Sequence, residues 1–233
     1  MKRTPISDRG LVRLLPATYH KPPALRGLVD SEEELDILAE IEGLTSARLQ
    51  AERGKSPHFD PRELAWHRRS RDLRIYGETH VNAAFTYTRA GGNRFNGEDR
   101  GAWYCSWNTM VSVIEVAWHR TRELGFAGVF HDRARYVELL ADFIGEFHDI
   151  RDEPRHPALH PDPAIGYPEG QSLAQHLRRE GARGLIYPSV RAPAPGGDCL
   201  VCFDPRAIQN VRPGASWDLI WEGSPDYALV AVA

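Results

Sequence analysis

The 233 residues carry 29 basic and 32 acidic side chains, for a formal net charge of −3, with 42% hydrophobic and 26% charged residues. These values exclude wholesale disorder, and no apolar run approaches the roughly 20 residues of a membrane-spanning helix. They also exclude an overall electrostatic footprint for nucleic acid, so any anionic ligand must be met by individually placed arginines.

The opening MKRTPISDRG lacks the apolar stretch of a secretory signal. The three cysteines, Cys105, Cys199 and Cys202, fit a reducing compartment better than a disulfide framework. The expected location is the cytoplasm. Residues 1–30, punctuated by Pro and Arg, read as an irregular arm. Ser31 and Glu34 then offer a capping box ahead of Leu35, Leu38 and Ile41 at helical spacing, and Thr45 starts a second helix. RELAWHRRSRDLR at 62–74 carries five arginines, but Glu63 and Asp72 interleave, and the segment reads as a solvated amphipathic helix.

Beyond Tyr76 the texture becomes β-rich. VNAAFTYTR and GAWYCSW read as strands on either side of the Gly- and Asn-rich GGNRFNGEDR. Asn108 or Thr109 then caps a helix running to about Leu124, and a further helix is expected over 133–147. Residues 151–170, with five prolines, read as a loop, and SLAQHLRREGARG as a short helix stopped by glycine. GLIYPSV, DCLVCFD and YALVAVA read as strands. Without a regular strand–helix alternation, this mixture predicts an α+β fold, divided into an N-terminal arm and helical extension over 1–75 and a mixed domain over 76–233.

Generic chemistry signals are sparse. Cys199 and Cys202 form a CxxC, but residues three apart on a strand face opposite ways and do not share a metal. Prolines around His156 and His160 forbid the helix that would pair them. His119 shares a helix face with Glu115 but has no further ligands at metal spacing. There is no Walker loop, no GxGxxG and no GxSxG elbow. GGNRFNG leads into a strand rather than a helix N-terminus, so anion binding there falls to the Arg94 side chain.

The ordered set GGNRFN at 91–96, WYCSW at 103–107, the helix bearing Glu115, GLIYPSVR at 184–191 and CLVCF at 199–203 resembles the RES domain, named for its Arg, Glu and Ser. In that family a GGRWN-like turn precedes a strand with a Tyr, a helix supplies a Glu, and a late YPS strand supplies the Ser. The matching positions are Arg94, Tyr104, Glu115 and Ser189, and the resemblance runs from about Phe85 to Asp204. The inserted Asn93 and the first 75 residues depart from the family pattern.

The resemblance implies a compact mixed β core like that of ADP-ribosyltransferase toxins, with flanking helices. It further implies an NAD-degrading toxin of a toxin–antitoxin pair, partnered by an Xre-type helix-turn-helix antitoxin. NAD would be substrate rather than cofactor, with no metal, no membrane and no direct nucleic-acid contact. The ADP-ribose acceptor, whether water, phosphate or a protein, stays open, as does homo-oligomerisation. Nicotinamide leaves NAD as a neutral base, so one carboxylate suffices, and Glu115 would stabilise the positive charge developing on the ribose. Arg94 suits the pyrophosphate or a ribose hydroxyl, with Arg191 as a second anion contact. Tyr104 offers a π face to the cationic ring. Ser189 would bond either the nicotinamide side or a phosphate, and Asn96 either supports Arg94 or shapes the turn. Three rival readings are a protein ADP-ribosyltransferase, a non-catalytic partner-binding domain, and a nucleic-acid-acting toxin using the 62–74 segment.

Overall fold

The computed structural model describes residues 1–20, 31, 33–34, 37, 45–64, 76–192 and 196–232. Among them, one sheet contains β1 (Lys2–Pro16), β2 (Trp103–Ser106), β3 (His131–Asp149), β4 (Gly184–Pro188), β5 (Asp198–Cys202), β6 (Gln209–Glu222) and β7 (Tyr227–Val232). The order is β1-β2-β5-β4-β3-β6-β7, and β1 also pairs with β3. Five strands therefore close on themselves, while β6 and β7 continue outward from β3. The helices are α1 (Ala47–Glu52), α2 (Glu78–Thr86), α3 (Thr109–Ala127) and α4 (Pro163–Arg179). Only β3 and β4 pair in parallel, through His148↔Leu185 and Asp149↔Ile186, and α4 makes the crossover that a parallel pair requires. The mixture is the expected α+β class.

Alternation along the strands divides the core. Trp103, Cys105, Ile186, Leu200 and Cys202 face one cluster with Phe85, Phe143 and Phe147. Leu185, Tyr187, Cys199 and Val201 face another with Phe95, Ala174 and Leu177. Cys199 and Cys202 thus lie on opposite faces, as their spacing requires. A third cluster seats α3 through Val113, Ala117 and Leu124 against Leu14, Leu219 and Trp221. Burying each of the larger aliphatic side chains contributes about 1.5–3 kcal/mol, and the pinning of α3 to β1 and β6 fixes where Glu115 points.

Four expectations are corrected. Residues 2–16 are not an irregular arm but strand β1, registered against β3 from Lys2↔Asp149 to Pro16↔Tyr136. Prolines within it are tolerated because β1 has little pairing beyond β3, only Val12↔Ser106 with β2. The stretch 133–147 is not a helix but most of β3. Its apolar residues suit either period, and it is a strand because β1 and β6 flank it. Its inward carboxylates find tertiary partners: Glu138 accepts from Thr109 Oγ1, Trp217 Nε1 and the Ala215 amide.

VNAAFTYTR is not a strand. Its first part belongs to α2, which buries Val81 and Phe85 one turn apart, with Asn82 bonded to Glu52 Oε1 at 3.1 Å. The loop expected over 151–170 ends early, because α4 starts at Pro163 with Asp162 capping the Ala164 amide. Pro163 suits the first helical position, whereas Pro168 lies inside the helix and forgoes a backbone bond.

The helix expected from Ser31 falls largely outside the described residues; the Glu34 amide does donate to Ser31 Oγ at 3.1 Å. The second helix is α1, capped by Ser46. Of the 62–74 segment, residues 65–74 lie outside the described residues. No helix among the described residues is long and apolar enough to cross a membrane.

Candidate active site

GGNRFN folds into a tight turn in which the Asn93 amide donates to the Asn96 carbonyl at 2.8 Å. Two anchors hold it. Phe95 is fully buried edge-on against Tyr187, with ring centroids 4.7 Å apart. The Tyr104 hydroxyl accepts from the Phe95 amide at 3.0 Å and donates to Asn96 Oδ1 at 2.9 Å. Asn96, 1% exposed, therefore shapes the turn rather than touching Arg94. Burial pushes the Tyr104 phenol well above its ordinary value, so it stays protonated. Its hydroxyl is committed to the turn, and its ring lines the cavity.

Arg94 points inward and is only 8% exposed. Its Nη1 donates to the Ala158 and His160 carbonyls at 2.6 and 2.9 Å, and its guanidinium lies 5.4 Å from the Tyr167 ring centre on α4. Two glycines of α4 make room. A Cβ on Gly166 would sit 2.5 Å from Arg94 Nη1, and one on Gly170 would sit 2.2 Å from the Arg94 carbonyl oxygen.

Glu115 projects from α3, and Ser189 Oγ donates to its Oε1 at 2.5 Å. Ser189 follows the end of β4, where Oγ also accepts from the Arg191 and Ala192 amides at 3.2 and 2.9 Å. Both amides fill hydroxyl lone pairs, which leaves the single proton for Glu115. Ser189 thus orients the carboxylate. Arg191 does not follow on a strand, because β4 stops at Pro188. Its guanidinium stacks 3.5 Å from the Trp118 ring centre, and its buried Nη2 has no hydrogen-bond partner.

These groups line a cavity of about 240 Å³. Arg94, Tyr104, Glu115 and Arg191 reach it directly, and Ser189 reaches it through Glu115. Asn96 stays behind Tyr104. His119 also lines it, one turn beyond Glu115. Burial, assisted by Arg89, Arg191, Arg122 and Arg94, lowers its pKa to about 3, so the imidazole is neutral.

Three charged or aromatic lining residues escape the sequence reading: Arg13, Tyr167 and Tyr187. Arg13 lies on β1 over the Trp103 ring at 4.9 Å, with one 3.4 Å bond to the Tyr104 carbonyl, and burial lowers its pKa. An arginine inside the apolar LVRLL is the signal that could have exposed it, since buried charges seldom lack a purpose. Tyr187 sits within the YPS motif itself. Tyr167 was hidden because its segment read as a loop.

Three arginines and one carboxylate make the cavity electropositive, with aromatic walls and one oriented acid. It can hold an anionic, ring-bearing ligand and stabilise positive charge near Glu115. Among the described residues no three His, Cys, Asp or Glu side chains converge on a possible metal position.

The family model of the RES domain matches residues 64–222, more than half of the chain. The chain matches no curated protein. The matched span includes Arg94, Tyr104, Glu115, Ser189 and Arg191, whereas Arg13 and the whole of β1 precede it.

Proposed function

The chain belongs to the RES domain family, and from that membership together with the cavity we propose that it degrades NAD by cleaving the nicotinamide–ribose bond. Membership points in general to NAD-related toxin activity. The observation that carries the finer reading is the Ser189–Glu115 hydrogen bond inside a cavity lined by Arg13, Arg94 and Arg191. The arginines match the two negative charges of a pyrophosphate, and the carboxylate faces the positive charge that develops at the reacting carbon.

In this mechanism the C1′–N bond breaks and its electron pair leaves with nicotinamide, which departs neutral and needs no general acid. Positive charge spreads over C1′ and the ring oxygen of the ribose, next to Glu115. The Ser189 hydroxyl holds that carboxylate in one orientation, so little reorganisation accompanies the charge change. Water or inorganic phosphate then adds at C1′, giving free ADP-ribose or its 1-phosphate, and water loses its second proton to solvent. Tyr104 and Tyr187 supply aromatic walls for the nicotinamide ring. We propose that the protein acts in the cytoplasm as the toxin of a pair with an Xre-type helix-turn-helix antitoxin.

Purified protein incubated with NAD, with and without phosphate, tests the reaction. Nicotinamide release is expected in both, and a phosphate-dependent ADP-ribose 1-phosphate would select phosphorolysis. NAD that persists under both conditions, with no labelled protein in a lysate supplied with labelled NAD, leaves a partner-binding domain. Label on protein alone selects transfer to a protein. Co-purification with the product of an adjacent helix-turn-helix gene tests the partner.

A further inference from the structure

The cavity around Glu115 is small for a dinucleotide: about 240 Å³, where ligand sites usually run to roughly 300–1,000 Å³. A second cavity of about 480 Å³ adjoins it, and His119 and Tyr167 line both. Its walls are Arg89 and the Gly91–Gly92 backbone, the outer face of α3 at Arg122 and Phe126, and the first turns of α4. Gln171 fixes one wall by donating from Nε2 to the Gly91 and Asn93 carbonyls at 2.8 and 3.0 Å.

The chemistry of this second cavity differs from that of the first. Beyond the shared His119 it holds no group suited to bond cleavage, and its one carboxylate, Glu123, is already paired with Arg120 at 3.3 Å. Arg122 lies between two aromatic rings, 5.6 Å from Trp118 and 5.1 Å from Phe126, and has no carboxylate partner among the described residues. Phe126 is 78% exposed, a large ring left in water beside a cation. Arg89 spends Nε on the Gly92 carbonyl at 3.1 Å and directs Nη2 toward His119 Nδ1 at 3.4 Å. A flat aromatic base can stack on such a ring–guanidinium platform, while guanidinium nitrogens meet an attached phosphate.

The geometry points to the second cavity as the site for the adenosine half of the dinucleotide, its purine stacked on Phe126 and Arg122. This rests on the NAD reading of the first cavity. Nicotinamide and its ribose then occupy the Glu115 cavity, and the pyrophosphate crosses between them past His119 and Tyr167. A neutral His119 at the crossing offers a hydrogen bond without competing with the arginines for charge. The outer cavity thereby selects adenine dinucleotides by stacking, apart from the chemistry.

ADP carries the purine, ribose and two phosphates but no nicotinamide, so its binding reads the outer cavity without requiring turnover. Calorimetric titration of ADP into the full chain is expected to show binding. Affinity should fall about tenfold in Phe126→Ala and in Arg122→Ala, whereas affinity for nicotinamide mononucleotide should stay within about twofold. Both side chains are exposed, so neither change threatens the fold. ADP that fails to bind the unaltered protein, or that binds both variants as tightly, overturns the assignment. Loss of the NAD-cleavage reading would appear separately, as absent nicotinamide release while ADP binding and its sensitivity to the variants persist.

Discussion

Arginines on two sides of the molecule are held in opposite ways. Across β3 and β6, Arg133 and Arg135 both grip the buried Asp218, with closest distances of 2.6 and 2.7 Å. Near the end of β3, Arg151 grips Asp149 at 2.7 Å and Asp198 at 3.0 Å. Those charges are satisfied within the fold, and the Asp149 carboxyl is held down at about 2 despite its burial, chiefly by Arg151. Around the cavity, Arg13, Arg94 and Arg191 meet carbonyls or ring faces and, among the described residues, no carboxylate beyond their shared neighbour Glu115. A cation left with carbonyls and an orphaned nitrogen costs stability that a dianionic ligand would return on binding. The paired arginines serve the fold, and the unpaired ones are those proposed to serve a ligand.

Glu115 is the one carboxylate among the cavity arginines, and the proposed reaction depends on its charge. Glu115→Gln keeps the shape and an acceptor oxygen for Ser189 but removes the charge, and kcat for NAD cleavage is expected to fall about 100- to 1,000-fold. Thermal unfolding should barely move, and unchanged nicotinamide release in this variant would remove Glu115 from its role. Next, Arg191→Met retains the stem over Trp118 while deleting the guanidinium. Affinity for NAD should drop about tenfold, or roughly 1.4 kcal/mol, with the melting temperature held or raised because the unpartnered Nη2 is gone.

Asp218→Asn is the opposite case. Two ion pairs become contacts between still-charged guanidiniums and a neutral amide, and because both arginines are substantially exposed the cost is discounted to about 1–2 kcal/mol. For a chain of this size that is a fall of roughly 2–8 °C in Tm, with KM for NAD unchanged. A variant pair in which Arg191→Met destabilised and Asp218→Asn weakened NAD binding would reverse the division between the two groups.

The sequence made local chemistry more legible than long-range pairing. Asn108 as the cap of α3, the strands at 184–188 and 198–202, and the polar set from Arg94 to Arg191 could be read because each depends on near neighbours or short motifs. β3 could not: its apolar spacing suits a helix until β1, from the other end of the chain, pairs with it over Lys2–Pro16. The same pairing brings Arg13 to the cavity, so misreading the first strand also hid a site residue. Pro168 and its neighbours disguised α4, whose Gly166 and Gly170 are there for the approach of Arg94. The alternatives left open for Ser189 depended on hydroxyl direction, which is set by the Arg191 and Ala192 amides and has no signature in YPS.

The smallest effect concerns acid. His119 is neutral in the folded protein because of burial first and then Arg89, Arg191, Arg122 and Arg94, which hold its pKa near 3 against an ordinary 6.5. Glu115 and the Trp118 ring also adjoin it, on the same helix. Between those two pH values the unfolded chain takes up a proton on this residue that the folded chain refuses, so stability rises with pH across the window. Its contribution is fully present above about 6.5 and is lost progressively as pH falls toward 3. His119→Gln cannot take up that proton in either state. The drop in urea midpoint from pH 7.5 to pH 5 should therefore be smaller in the variant, with the lowered His80 and His148 accounting for what remains. Identical pH slopes in the two proteins would mean that the cavity arginines do not press on His119, and with that the excess positive charge assigned to the site would fail its most local test.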